Sequence, residues 1–157
     1  IYWKNKETST IIKFGNYAKV FDDYDKYNNI FKLIDMLQNN DGVGHGTDVV
    51  SAFEALNQSY DRIFLFSDMQ CMDHGSNWWG SSSNKTAQQA FNDYVESFGT
   101  TQLYSFDLGN YHSQITSQNH NIKYITALTD IVFTAIELNE REGQSLVDIV
   151  ESYNFEN

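Results

Sequence analysis

The sequence predicts an α/β fold: a doubly wound, mostly parallel sheet with an antiparallel edge hairpin. Three observations carry that expectation. The run Ile63-Phe64-Leu65-Phe66 is continuously apolar, bounded by polar residues and too short for a helix core. That is the pattern of a strand buried on both faces of a parallel sheet. Segments of this kind alternate with amphipathic helical segments along the rest of the chain. Near the start, two short β-prone runs, 10–14 and 17–21, are split by Gly15-Asn16, a two-residue hairpin signal.

Taken in order, the hairpin is followed by an acidic break over 22–25. Tyr27, Ile30, Phe31, Ile34 and Leu37 then recur at helical spacing and form the apolar stripe of an amphipathic helix. Residues 39–48 are a loop whose three glycines, Gly42, Gly44 and Gly46, let the backbone turn sharply or approach a ligand closely. Thr47 or Asp48 caps the next helix, with Val49, Val50, Phe53 and Leu56 as its buried stripe. The apolar strand 62–67 comes next. Residues 71–85 make a long loop carrying Trp78-Trp79. Loops of that length are over-represented among functional ones, and the alternative is a pair of tryptophans folded back on the core. Thr86 and Gln89 form a capping box for a helix with Ala87, Ala90, Phe91, Tyr94, Val95 and Phe98 on its inner face. A second strand spans 103–108 and a third 122–128. Thr129-Asp130 caps a helix carrying Ile131, Val132, Phe133, Ala135, Ile136 and Leu138. A last helix over 144–153 carries Leu146, Val147, Val150 and Tyr153.

The length of 157 residues suits a single domain, 1–157, with a sizeable core. The formal net charge is -11. Such a surface repels phosphate backbones, which argues against this domain gripping RNA or DNA by itself, and it suits solubility and cation binding. The single cysteine, Cys71, excludes an internal disulfide. No apolar run reaches membrane-spanning length and no signal-peptide pattern opens the chain, so a cytoplasmic setting is the default. The chain starts at Ile1 without an initiator Met and reads as the C-terminal part of something longer.

In open α/β sheets, ligands gather outside the carboxyl ends of the strands. Asp68 closes the apolar strand at that position, and Thr47 falls in a loop leading to the same rim. A carboxylate and a hydroxyl are hard oxygen ligands, suited to Mg²⁺ or Ca²⁺. Two such groups do not build a site alone, although Mg²⁺ keeps several waters. Asp68 has a second reading, as a strand end that bonds loop amides. Asp48 reads as a helix cap before a ligand. Asp107 and Ser67 are the candidate neighbours. Catalytic signatures are lacking: there is no Gly-x-Ser-x-Gly, no Walker loop and no Gly-x-Gly-x-x-Gly. Cys71 and His74 stand three apart with nothing to make them a nucleophile pair or a zinc site. A non-enzymatic domain is expected.

The run Asp61-Arg62-Ile63-Phe64-Leu65-Phe66-Ser67-Asp68-Met69-Gln70 resembles the metal-site strand of von Willebrand factor A (vWA) domains, a Rossmann-like fold. More narrowly, it resembles that strand in bacterial and phage relatives of the Ro autoantigen, the TROVE-module proteins. Gly44-His45-Gly46-Thr47-Asp48 is similar to that family's Gly-Gly-Thr-Asp loop. Leu103-Tyr104-Ser105-Phe106-Asp107-Leu108, with Gly109 and Tyr111, resembles its next strand. Ala127-Leu128-Thr129-Asp130-Ile131-Val132-Phe133 resembles its closing strand-to-helix turn. The four motifs run in order, and the resemblance as a whole extends over residues 10–140.

The resemblance implies a metal-ion-dependent adhesion site (MIDAS) holding a divalent cation, Mg or Ca, with Thr47 and Asp68 as two contributors. The third, an Asp-x-Ser-x-Ser loop on a first strand, is not in this sequence. In Ro-like proteins, structured non-coding RNA and misfolded RNA bind mainly to a ring of helical repeats, which this chain also lacks. The function implied is therefore a non-enzymatic binding domain of a ribonucleoprotein whose RNA contacts lie elsewhere in the protein, with no DNA and no membrane as partners. Two further readings stand beside it: a cation-dependent adhesion domain with a protein ligand at the metal-site rim, and a metal-dependent phosphate hydrolase. A vWA sheet also needs its first strand between the hairpin and 62–67, so a strand from outside residues 10–128 is expected to fill that place. Its source is a separate polypeptide carrying Asp-x-Ser-x-Ser, an upstream segment or, in third place, Ile1-Tyr2-Trp3 standing in.

Overall fold

The structure is a computed structural model that describes residues 7–21, 29–38, 42–68, 85–109, 121–126 and 128–142. Its elements run β1 (Ile11–Phe14), β2 (Ala18–Phe21), α1 (Ile30–Gln38), α2 (Val49–Glu54), β3 (Arg62–Ser67), α3 (Ala87–Phe98), β4 (Gln102–Asp107), β5 (Ile122–Ile125) and α4 (Asp130–Glu142). Strands β3, β4 and β5 form a parallel sheet in that order. β1 and β2 form a separate antiparallel pair.

The side chains of the apolar run of β3 alternate between the two faces of the sheet; Leu65 is buried, Ile63 and Phe64 are half-buried, and Phe66 is exposed, against the expected burial on both faces. Leu65 and Ile63 point to one side, into a cluster with Val49, Val50 and Phe53 of α2, Ala90 and Phe91 of α3, and Leu103 and Ile122 of the neighbouring strands. Phe64 points to the other side, against Tyr104, Phe106 and Ile125, with Ile136, Val132 and Phe133 of α4 above them. Helices thus cover both faces of the parallel sheet. β4 lies between two partners and is buried on both faces.

The helices start where the sequence signals said. Thr86 caps α3, accepting from Gln89 N, while the Gln89 side chain accepts from Thr86 N, so both halves of the capping box form. Asp48 caps α2 through Ser51 N. α4 begins directly after Thr129, whose carbonyl accepts from Val132 N.

Two hydrogen bonds orient the hairpin. At one end of β1, Tyr60 Oη donates to Thr10 Oγ1, and Tyr60 lies just before β3. At the other end, Gly15 O accepts from Asp48 N at the head of α2. β1 therefore runs in the direction of β3, and α2 runs back against both. Phe14 carries the hairpin into the α2–α3 cluster.

At the strands' N-terminal end, α4 is tied to the sheet by polar groups. Arg62 pairs with Glu140 at 2.7 Å, Tyr104 Oη donates to Glu140 Oε1 at 2.8 Å, and Lys123 donates to Asn139.

Several expectations need correcting. The hairpin does not continue the parallel sheet as its edge: among the described residues no strand pairing joins β1 or β2 to β3. The turn has three residues, Gly15, Asn16 and Tyr17, because Phe14 pairs with Ala18. The extra residue leaves the Asn16 amide and side chain directed at another loop. The stripe on α1 is not buried. Leu33 is the buried position, while Ile30, Ile34 and Leu37 are exposed and Phe31 is 78 % exposed. Helical spacing specifies a face and leaves open whether another surface meets it. Phe98 at the end of α3, expected inside, is partly exposed and packs on Tyr94. The strand expected over 122–128 stops at Ile125. Tyr27, the 71–84 part of the long loop with Cys71, His74 and Trp78-Trp79, and the helix expected over 144–153 lie outside the described residues.

Phe91 is buried in the cluster that unites α2, α3 and the sheet, and its ring packs 5.4 Å from that of Phe53. Phe91→Ala is expected to lower the unfolding free energy by about 3–5 kcal/mol in a urea melt; a loss under about 1 kcal/mol would show that this cluster does not hold the layers together.

A pH prediction follows from Tyr104. Burial first, then the hydrogen bond to Glu140, pushes its phenol above the ordinary tyrosine range. A raised pKa in the folded state stabilises the protein fully below the unfolded value of about 10, and that contribution is lost as pH rises through the folded value. Stability should therefore fall above about pH 10. Tyr104→Phe should start lower by about 1.5–3 kcal/mol, the range for a hydrogen bond to a charged group, and fall less steeply in that window. Parallel pH profiles for the two proteins would remove this account of Tyr104.

Candidate functional site

The carboxyl ends of β3 and β4 and the head of α2 lie at one end of the sheet, because α2 runs against β3. Each contributes one of the expected residues. Ser67 and Asp107 are the last residues of paired strands and stand in register, with Leu108 N donating to Ser67 O at 2.8 Å. Ser67 is buried and Asp68, one residue further, is exposed. Asp107 is buried, and its Oδ1 accepts from Gly109 N at 3.0 Å. That bond makes it part of the turn leaving β4. Asp48 is committed to Ser51 N as the α2 cap, as its position suggested.

Thr47 stands in the loop that reaches α2. The loop is held from outside itself. Asn16 N donates to Val43 O at 2.6 Å, Asn16 Oδ1 accepts from Gly46 N at 2.8 Å, and Tyr17 Oη donates to Gly42 O at 2.7 Å. Gly42 and Gly44 take φ of +82°, a conformation that side chains rarely adopt. The glycines are thus accounted for by turning and by close seating of the hairpin, and no phosphate cradle is needed to explain them.

Thr47 and Asp68 offer hard oxygens of the type that Mg²⁺ or Ca²⁺ takes. They supply a fraction of a coordination sphere. Among the described residues no three His, Cys, Asp or Glu side chains come together as metal ligands would. A cation that keeps most of its waters is the kind whose needs such donors would meet.

Two features of this end escaped the sequence reading. One is the role of Asn16, read as a turn residue, and of Tyr17, read as the start of the second β-prone run. The other is a set of exposed apolar side chains around the rim: Phe66 on β3, Leu108 after β4, Leu128 after β5, and Ile131 in the first turn of α4, 71 % exposed. Their positions just past strand ends were visible, but exposure is a tertiary property. The opposite end of the sheet carries a cleft of about 430 Å³ lined by Asp61, Arg62, Gln102, Tyr104, Lys123, Asn139 and Glu140. Its Arg62, Tyr104, Lys123 and Glu140 are bound to one another or to Asn139, so it reads as the polar seam that fastens α4.

The chain matches no family model, no curated protein and no solved structure.

Proposed function

We propose that this chain is a non-enzymatic binding domain, the vWA-like part of a Ro-like protein, with a divalent cation held through Thr47 and Asp68. Small non-coding or misfolded RNA is bound by other parts of that protein. What supports the reading is the placement of two hard-oxygen residues on a parallel, two-sided sheet: Thr47 directly precedes the α2 cap Asp48, Asp68 directly follows β3, and α2 and β3 pack into one cluster. The net charge of -11 agrees with a domain that leaves the phosphate backbone to other segments. The exposed rim of Phe66, Leu108, Leu128 and Ile131 favours a second reading, in which the same cation-bearing end adheres to a protein partner.

Isothermal titration with Mg²⁺ tests the cation. The wild type should bind, Asp68→Ala should abolish binding, and Thr47→Ala should weaken it by about tenfold or more. Unchanged affinity in both variants would sink the site. In a gel shift with structured RNA at physiological salt, the 157 residues alone should give no tight, salt-sensitive complex; such a complex would move the RNA grip into this domain.

The reading also requires a strand between β1 and β3, supplied from outside residues 10–128. Asp61 O and Ser67 O both face β4, accepting from Gln102 N and Leu108 N, so the intervening even-numbered groups of Phe64 and Phe66 face away from it. In the full-length protein the Phe64 and Phe66 amides should exchange with deuterium as slowly as those of Ile63 and Leu65. Fast exchange at 64 and 66 alone would leave β3 an edge and remove the added strand.

A further inference from the structure

We propose that Asn16, in the hairpin turn, is the positioning residue for the Thr47 hydroxyl; the proposal rests on the cation reading above and deepens it. Three consecutive turn residues bind the loop on both sides of Thr47. Gly46 N, just before it, donates to Asn16 Oδ1 at 2.8 Å, and Asp48 N, just after it, donates to Gly15 O at 2.7 Å. Asn16 N closes the contact further back, on Val43 O at 2.6 Å. The backbone flanking Thr47 is fixed from the hairpin, while its own hydroxyl has no partner among the described residues.

The seating is close enough to dictate composition. A Cβ on Gly44 would lie 2.6 Å from Asn16 Nδ2, one on Gly46 would overlap Asn16 Oδ1, and one on Gly15 would lie 2.5 Å from Val43 O. Two glycines, Gly44 and Gly46, therefore make room for one asparagine, and Gly15 makes room for the loop backbone. The turn is itself anchored, because the adjacent Phe14 is packed in the core cluster with Val49, Val50 and Phe53 of α2. A continuous path runs from the core through Phe14 and Asn16 to the backbone on either side of Thr47. A side chain whose only task was to close a hairpin would need none of these bonds to a loop 30 residues away.

Asn16→Ala, Asn16→Asp and Lys13→Ala decide the matter. Lys13 lies on the same hairpin and bonds Leu37 O, away from the loop, so its variant reports hairpin damage alone. Amide exchange at Gly46 and Asp48 should accelerate in Asn16→Ala, stay slow in Lys13→Ala and return to slow in Asn16→Asp, which keeps the acceptor. Mg²⁺ affinity by isothermal titration should fall about tenfold in Asn16→Ala, the scale of a residue that orients a ligand, and hold in Lys13→Ala. Unchanged exchange at Gly46 and Asp48 in Asn16→Ala overturns the proposal. So does unchanged Mg²⁺ affinity there when the wild type binds. If the wild type binds no Mg²⁺, the cation reading falls, and the exchange measurement alone decides the role of Asn16.

Discussion

The placement of β4 sets the rest of the structure. Gln102–Asp107 is paired along both edges, by β3 and by β5, and covered on both faces. A strand in that position has no side on which a polar side chain meets water, so Leu103, Tyr104 and Phe106 are divided between two apolar clusters. The division fixes which helices lie where: α2 and α3 collect over Leu103, α4 over Tyr104 and Phe106. The polar residues of β4 survive there by being bonded. Tyr104 reaches Glu140, and the Asp107 carboxylate turns back onto Gly109 N. Removing Glu140 would take the partner from the buried Tyr104 hydroxyl, which costs more than the net worth of the bond.

The parallel core was legible in the sequence because its signals are local. A continuous apolar run identifies a strand buried on two faces, and Thr86 with Gln89, three residues apart, identifies a helix start. Both statements need only neighbours along the chain. The stripe Ile30, Phe31, Ile34 and Leu37 carried an equally regular signal and led to a wrong expectation. Periodicity states that four side chains share a face. It does not state that another surface is present to meet them.

At the candidate site, the residue types were readable and their commitments were not. Asp48, Asp68 and Asp107 are three carboxylates near one rim with the same intrinsic chemistry. Asp48 is bonded to Ser51 N as a cap and Asp107 to Gly109 N within a turn, while Asp68 lies at the surface. Only the cap could be anticipated, from its place before Val49 and Val50. The glycine-rich loop shows the same limit. Glycine signals close approach of something to the backbone, and here that something is the side chain of Asn16 from a hairpin distant in sequence.

The two ends of the sheet differ in a way that bears on what each can bind. At the amino end, Arg62, Tyr104, Lys123, Asn139 and Glu140 satisfy one another across the gap between sheet and α4. An incoming ligand there would have to break bonds already made and offer equivalents. Toward the carboxyl ends of the strands, Phe66, Leu108, Leu128 and Ile131 are exposed to water. A partner covering those side chains would gain about 25 cal/mol for each Å² of apolar surface removed from water, and would break no core hydrogen bond to do so. Ion pairs exposed at such a rim contribute little by themselves, so charge there sets orientation while apolar burial supplies most of the affinity. Under the proposed binding role, this asymmetry favours the carboxyl end as the surface a partner would meet, through a hydrated cation or through the apolar rim alone.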